Sequence, residues 1–174
     1  MTRIINLNGE HGVGKSTVAQ YLHNALIATG ANVKILHLAD PVKKMCAILA
    51  GENIINYHSE AKDEFCKQLG INRRQLMVDM TAVCRDKFCK DVFWNLGTAN
   101  IAAYDVIIVG DARYADWYEY LNRKQYEVFN IYVSREGKTH GEATIRYHKR
   151  INNNFSLEEL KSTCLNLATT LIIK

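Results

Sequence analysis

A chain of 174 residues, 48% hydrophobic and with a single proline, has material for one compact domain with an ordinary core and little room for a second. Its formal charge of +4 is carried by scattered Lys and Arg, which suits an anionic small molecule and argues against a nucleic-acid polymer as partner. The five cysteines form no CxxC pair, no secretory leader precedes them, and no apolar run approaches the ~18 residues of a membrane helix, so reduced thiols, mostly core fillers, are expected in a soluble cytoplasmic protein with no membrane partner.

Residues 3–8 (RIINLN) are short, apolar and β-rich and run straight into glycine, as a buried strand does. After the glycines, 16–28 reads as a helix with Val18, Leu22, Ala25 and Leu26 on one face, closed by Gly30. VKILHL at 33–38 is a second strand, and Pro41 falls at the first turn of a helix over about 42–50. The stretch 59–103 is helical in character, broken near Gly70 and Gly97, with no convincing strand. YDVIIVG at 104–110 is a third strand, followed by a helix at 115–124 and a fourth strand, EVFNIYVS, at 127–134.

Between 135 and 147 the chain is polar, holds two glycines and has no period, as a mobile loop would. Residues 149–153 are a candidate fifth strand, and Ser156-Leu157-Glu158-Glu159 has the form of a capping box that opens a last helix to about 168. Strands alternating with helices predict an α/β fold: a parallel five-stranded sheet with helices on both faces, in one domain spanning 1–174.

The strongest local pattern is Gly9-Glu10-His11-Gly12-Val13-Gly14-Lys15-Ser16, which satisfies G-x-x-x-x-G-K-[ST] at every required position. Wrapping a phosphate group in consecutive backbone N–H donors forces dihedrals and close approaches that only glycine tolerates cheaply. The helix that follows directs its free N–H groups and positive dipole end at the anion. Lys15 is placed to reach the β- and γ-phosphates, and Ser16 to offer its hydroxyl to Mg²⁺. The flanking strand and amphipathic helix are the context this loop needs. ATP binding is therefore expected at Gly9, His11, Gly12, Val13, Gly14, Lys15, Ser16 and Thr17, within a P-loop kinase-like three-layer fold.

No N/TKxD-type segment follows, as a GTPase would need, and no strand ends in the Asp-Glu of motor-type ATPases. The third strand instead ends Val109-Gly110-Asp111-Ala112-Arg113. Ligands of parallel sheets bind at the carboxyl ends of the strands, so Asp111 is expected beside the phosphate loop, holding Mg²⁺ through water or a substrate hydroxyl. Arg113 can clamp an acceptor phosphate bidentately.

Taken in order, several further stretches resemble the phage-type deoxynucleoside monophosphate kinases of the P-loop nucleoside monophosphate kinase group. Leu38-Ala39-Asp40-Pro41-Val42-Lys43 is similar to that family's "ADP-hydrophobic-K" after the second strand. Ala61-Lys62-Asp63, Arg74-Gln75-Leu76-Met77, Arg85 and Phe93-Trp94 look like its Lys-rich helix, "R-x-L-hydrophobic" stretch, Arg and Trp. Asp111-Ala112-Arg113-Tyr114 matches its "D-x-R-[FY]" strand end, while Met80-Thr81 stands where the family usually shows Gly-Thr.

The resemblance implies phosphorylation of a deoxynucleoside 5′-monophosphate with ATP and Mg²⁺. Arg85 and Arg113 would hold the acceptor phosphate, with Asp40 and Trp94 near its sugar or base and Lys43 also among the substrate-binding residues, in a helical region of about 40–103. The polar loop at 135–147 suits a lid, with Arg135 and Arg146 joining Lys15 as the cations on the migrating group. A P-loop kinase of another small metabolite, of dephospho-coenzyme A or shikimate type, and a non-catalytic nucleotide-binding regulator are the alternatives. A homodimer is left open.

Overall fold

The computed structural model describes residues 2–111, 115–138 and 146–172. In chain order the elements are β1 (Arg3–Asn8), α1 (Lys15–Ile27), β2 (Val33–Leu36), α2 (Asp40–Ala50), β3 (Phe65–Cys66), β4 (Ile71–Asn72), α3 (Arg73–Lys87), α4 (Val92–Gly97), β5 (Val106–Val109), α5 (Ala115–Arg123), β6 (Glu127–Ser134), β7 (Lys149–Asn152) and α6 (Leu157–Ile172). They fall into two compact units: Met1–His37 with Gly97–Lys174, and Leu38–Leu96. The second overlaps most of the region, about 40–103, that the resemblance assigns to acceptor binding.

In the first unit five strands pair in the order β2-β5-β1-β6-β7, every neighbouring pair parallel. Central parallel strands are covered on both faces, which is why β1 is buried along its middle: Ile4, Ile5, Asn6 and Leu7 are all buried. One face carries Ile5, Leu7, Ile108, Ile131, Val133 and Ile151 in a common core with Val18, Leu22 and Leu26 of α1 and Leu160, Cys164 and Ala168 of α6. From β1 to β2 the chain steps one way across the sheet, and from β5 to β6 it steps the other. Crossovers of one hand therefore put α1 and α5 on opposite faces, and α5 buries Tyr120 and Leu121.

β6 has the bounds expected from the sequence, whereas β2 and β5 are shorter than expected. Their shared ladder runs only from Val33↔Val106 to Leu36↔Val109. Just outside it, Asp105 N still reaches Asn32 O at 2.9 Å and Gly110 N reaches Leu36 O at 3.3 Å, while Tyr104 N turns back to Ile101 O at 3.1 Å. The predicted capping box is present at α6: Glu159 Oε2 accepts from Ser156 N at 2.9 Å, and Ser156 Oγ accepts from Glu159 N at 3.3 Å. The helix continues beyond 168 to Ile172.

The second unit corrects the expectation that no strand occurs between 59 and 103. β3 and β4 form a two-rung antiparallel hairpin, Phe65↔Asn72 and Cys66↔Ile71, with Gly70 turning at φ +66°. Two residues per strand are too few to show any period. Asn72 then caps α3 through its Oδ1, which accepts from Arg74 N at 2.9 Å and Gln75 N at 3.3 Å. α2 starts at Asp40, two residues earlier than expected, with Ala39 as the uncapped N-cap.

Inside this unit Arg73 makes a fork–fork pair with Glu52, Nε to Oε2 at 2.7 Å and Nη2 to Oε1 at 2.9 Å, and adds Nη1 contacts to Glu64 and Ala61 O, each at 3.1 Å. The guanidinium holds the Glu52 carboxyl below its ordinary range, and the carboxylates in turn raise Arg73 further.

All five cysteines are free, and Cys46, Cys66, Cys84 and Cys164 are buried as expected of core fillers; Cys89 is exposed. Burial pushes the Cys46 and Cys164 thiols up to about 11. In native protein at pH 8 a thiol reagent should therefore titrate one cysteine rapidly and the other four only on unfolding. Fast reaction of two or more would contradict this packing. Among the described residues no helix is long and apolar enough to cross a membrane.

Candidate phosphate-binding site

Three contacts within the first unit hold the loop from Gly9 to Lys15. At Gly9, where φ is +134°, a Cβ would lie 2.1 Å from Val133 O of β6, so only glycine lets the chain leave β1 against its neighbour. Val13 is 2% exposed and belongs to the core shared by α1 and α6. Gly14 is the N-cap of α1, left-handed at φ 95° and ψ 21°, and a Cβ there would lie 2.2 Å from Nδ2 of Asn153. The loop is a fixed shape, pinned at both ends and in the middle.

Its open side is built for an anion. α1 has no side-chain cap and no acidic residue in its first turn, so neither its leading N–H groups nor its positive end is answered by a side chain at its own start. The other long helices differ: Asp40 lies in the first turn of α2, Asn72 caps α3, and Glu158 and Glu159 lie in the first turn of α6. Lys15 folds back over the loop and donates Nζ to Gly9 O and Glu10 O, both at 2.7 Å, which parks its charge at the loop's mouth. His11, Gly12 and Ser16 are exposed, and Thr17 is half-buried.

The register fixes what stands beside the loop. Asn6 pairs with Val109 on β5, so Asp111, two residues past Val109, lies level with Asn8 at the carboxyl end of the adjacent strand. Asn8 pairs with Tyr132 on β6, which brings Arg135 to the same end from the other side. Arg146 is placed differently. Asn130 donates Nδ2 to its carbonyl at 3.2 Å, and Asn130 pairs with Asn6 in mid-strand, so the Arg146 backbone sits well below the loop end of the sheet. Arg113 and the lid residues 139–145 lie outside the described residues.

Three residues at this end escaped sequence reasoning. A Cβ on Gly12 would lie 3.6 Å from both Cε and Nζ of Lys138, which puts a further cation over the loop. Asn8, the last residue of β1, has a buried Nδ2 with no hydrogen-bond partner among the described residues. Asn153, just past β7, donates Nδ2 to Val13 O at 2.8 Å. Nothing in the local sequence separates Lys138 from any other loop lysine, or Asn153 from any other turn asparagine. Only Asn8, a polar residue at a strand end one position before the motif, carried a signal.

The remaining predicted residues belong to the second unit. Asp40 does not cap its helix; its carboxylate accepts from Lys43 Nζ at 3.0 Å. Arg85 is half-buried in the last turns of α3, and Trp94 on α4 is buried.

A five-stranded parallel sheet in this order, with the glycine loop between β1 and α1, is the fold of the P-loop kinases. Among solved structures, the chain is similar to the Mycobacterium tuberculosis APS kinase CysC in complex with AMPPNP and APS, at 13% identity over 97% of this chain and 98% of that one, with a TM-score of 0.54. A cysteine-to-alanine variant of the same APS kinase gives 15% identity, coverage of 97% of both chains and a TM-score of 0.50. At such identity the likeness is one of fold. No family model matches the chain, and no curated protein matches it.

Proposed function

We propose that the protein is a P-loop kinase that transfers the γ-phosphoryl group of ATP to a small molecule, and that this acceptor is a deoxynucleoside 5′-monophosphate. The observation that carries the reading is the pinned glycine loop with its helix start uncapped and Lys15 over its mouth. A triphosphate tail fits that cradle: it would accept from the leading N–H groups of α1, and Lys15 would exchange its carbonyl partners for phosphate oxygens.

Ser16, exposed at the start of α1, and Asp111 would hold Mg²⁺, which neutralises charge on the β- and γ-phosphates when bound. In the transfer an acceptor phosphate oxygen forms a bond to the γ-phosphorus while the bond to the β–γ bridging oxygen breaks, and ADP leaves with that electron pair. The acceptor oxygen is already ionised near neutral pH, so the protein's work is positioning and countercharge rather than proton removal. Lys15 and Arg135 are the cations proposed for this, and Lys138 joins them from its place over Gly12, whereas the Arg146 backbone lies too far from the loop end to be counted with them.

For the acceptor, the support is the ordered sequence resemblance running through Asp40, Lys43, Arg85, Trp94, Asp111 and Arg113. Arg85 and Arg113 would hold its phosphate, and Asp40, Lys43 and Trp94 its sugar or base. A second reading is favoured by the fold: the likeness to an APS kinase solved with AMPPNP and APS supports a kinase of a different small metabolite.

A panel of acceptors assayed by coupled ADP release with ATP and Mg²⁺ separates the two. Turnover with at least one deoxynucleoside monophosphate is expected. Turnover confined to APS, dephospho-coenzyme A or shikimate would replace the first reading by the second, and ATP binding without any product would leave only a nucleotide-binding regulator.

A further inference from the structure

We propose that Asn153 is a positioning residue for nucleotide binding: it holds the last peptides before Lys15 in the left-handed turn that aims the start of α1 at the phosphates. The inference rests on the reading of the loop as a nucleotide cradle and adds a residue to it from the far end of the sheet.

Three contacts carry it. Asn153 donates Nδ2 to Val13 O at 2.8 Å, engaging the carbonyl of the peptide that joins Val13 to Gly14. The same nitrogen occupies the space a Cβ on Gly14 would need, at 2.2 Å, so amide and glycine fit as a pair. Asn153 is itself fixed on both sides: its backbone N donates to Ser134 O at 2.8 Å, and the next residue, Asn154, accepts from Glu136 N through Oδ1 at 2.6 Å.

Gly14 at φ 95° has no intrinsic preference for that conformation over its mirror image, because glycine populates both signs of φ. The neighbouring carbonyl must therefore be held if the N–H groups that follow are to converge on one point. Asn153 supplies a donor at that carbonyl. It also connects the phosphate loop to the first residues of the segment that brings Lys138 over Gly12. An asparagine suits the task because its amide donates without adding charge near a polyphosphate; an aspartate of the same shape would accept where a donor is needed and repel the ligand.

The test compares wild type, Asn153→Ala and Asn153→Asp by isothermal titration with ATP and Mg²⁺, by steady-state kinetics with an accepted acceptor, and by far-UV circular dichroism. Asn153→Ala is expected to weaken ATP binding and raise KM for ATP about tenfold, the factor one net hydrogen bond is worth. KM for the acceptor should stay unchanged. Asn153→Asp, with its added charge, should lose more than Asn153→Ala.

If wild type binds ATP and both variants bind it equally well, the inference is overturned while the function stands. If wild type does not bind ATP, the function itself fails. Equal losses for nucleotide and acceptor, or failure of both variants to fold, would make Asn153 a residue of the fold alone and overturn its positioning role.

Discussion

Replacing Lys15 by alanine is expected to lower kcat/KM for phosphoryl transfer by at least about 100-fold, the scale set by removing one preorganised charge donor from a developing anion. Lys15 is the one described cation on the loop itself, and its amine already sits at the mouth, held by Gly9 O and Glu10 O at 2.7 Å each. Those bonds cost the site little on ligand binding, since a phosphate oxygen replaces a carbonyl oxygen as acceptor.

The fold should survive the change. Both carbonyls belong to a surface loop whose shape is set independently by Gly9 against Val133, Val13 in the core and Gly14 against Asn153. Circular dichroism should be unchanged while the rate falls. A variant that keeps a tenth or more of wild-type kcat/KM would show that the loop lysine does not carry the transfer. Lys15→Arg is a sharper control: it keeps the charge but adds a planar fork too large for the same two carbonyls, and should rescue little.

The largest loss of stability is expected for Arg73→Met, about 3 kcal/mol, because it leaves the Glu52 carboxylate buried without its partner. The side chains are 10% and 7% exposed, and the pair ties α3 to the turn just past α2, with Glu64 and Ala61 O accepting from Nη1. The cost should be measurable as a shift in the denaturant midpoint at pH 7.

Its dependence on pH has a definite sign. In the native protein the Glu52 carboxyl is held below its ordinary 4.5 by hydrogen bonds from Arg73, so its contribution to stability is present above that value and lost as pH falls through the lowered one. Without Arg73 the largest influence lowering this carboxyl is gone and burial is opposed only by the hydrogen bonds from Tyr57 and Cys66, so acid relieves the defect by protonating it. The stability gap between wild type and Arg73→Met should therefore narrow as pH drops below about 5. Adding Glu52→Gln to Arg73→Met should recover much of the loss, as removing both members of a buried pair commonly does. A gap that is constant with pH would place the effect in lost packing rather than in the ion pair.

The parts of this molecule that were legible in the sequence are those written in consecutive residues. The phosphate loop depends on glycines at fixed spacing between a strand and a helix, and β1, β6 and the capping box of α6 are set by local pattern; all stand where the residues place them. Misread features depend on partners far along the chain or on too few residues. β3 and β4 have two residues each, and β2 ends early because its ladder with β5 does.

Asn153 is the extreme case. Its contact with Val13 spans 140 residues, and in sequence it is the middle of an Asn-Asn-Asn run that reads as any polar turn. Arg135 and Arg146 were equivalent as lid arginines in sequence. The register separates them, since only Arg135 leaves its strand at the loop end of the sheet.

Amide chemical shifts of Gly12, Val13, Gly14, Lys15 and Ser16, followed in isotopically labelled protein during titration with ADP and Mg²⁺, bear most directly on the claim that this turn grips a polyphosphate through its main chain. Large saturable shifts confined to these residues and their immediate neighbours are the expected result, with the Lys15→Ala variant showing them weakened. Resonances of the turn that stay unmoved at millimolar nucleotide, while the protein remains folded, would contradict the account.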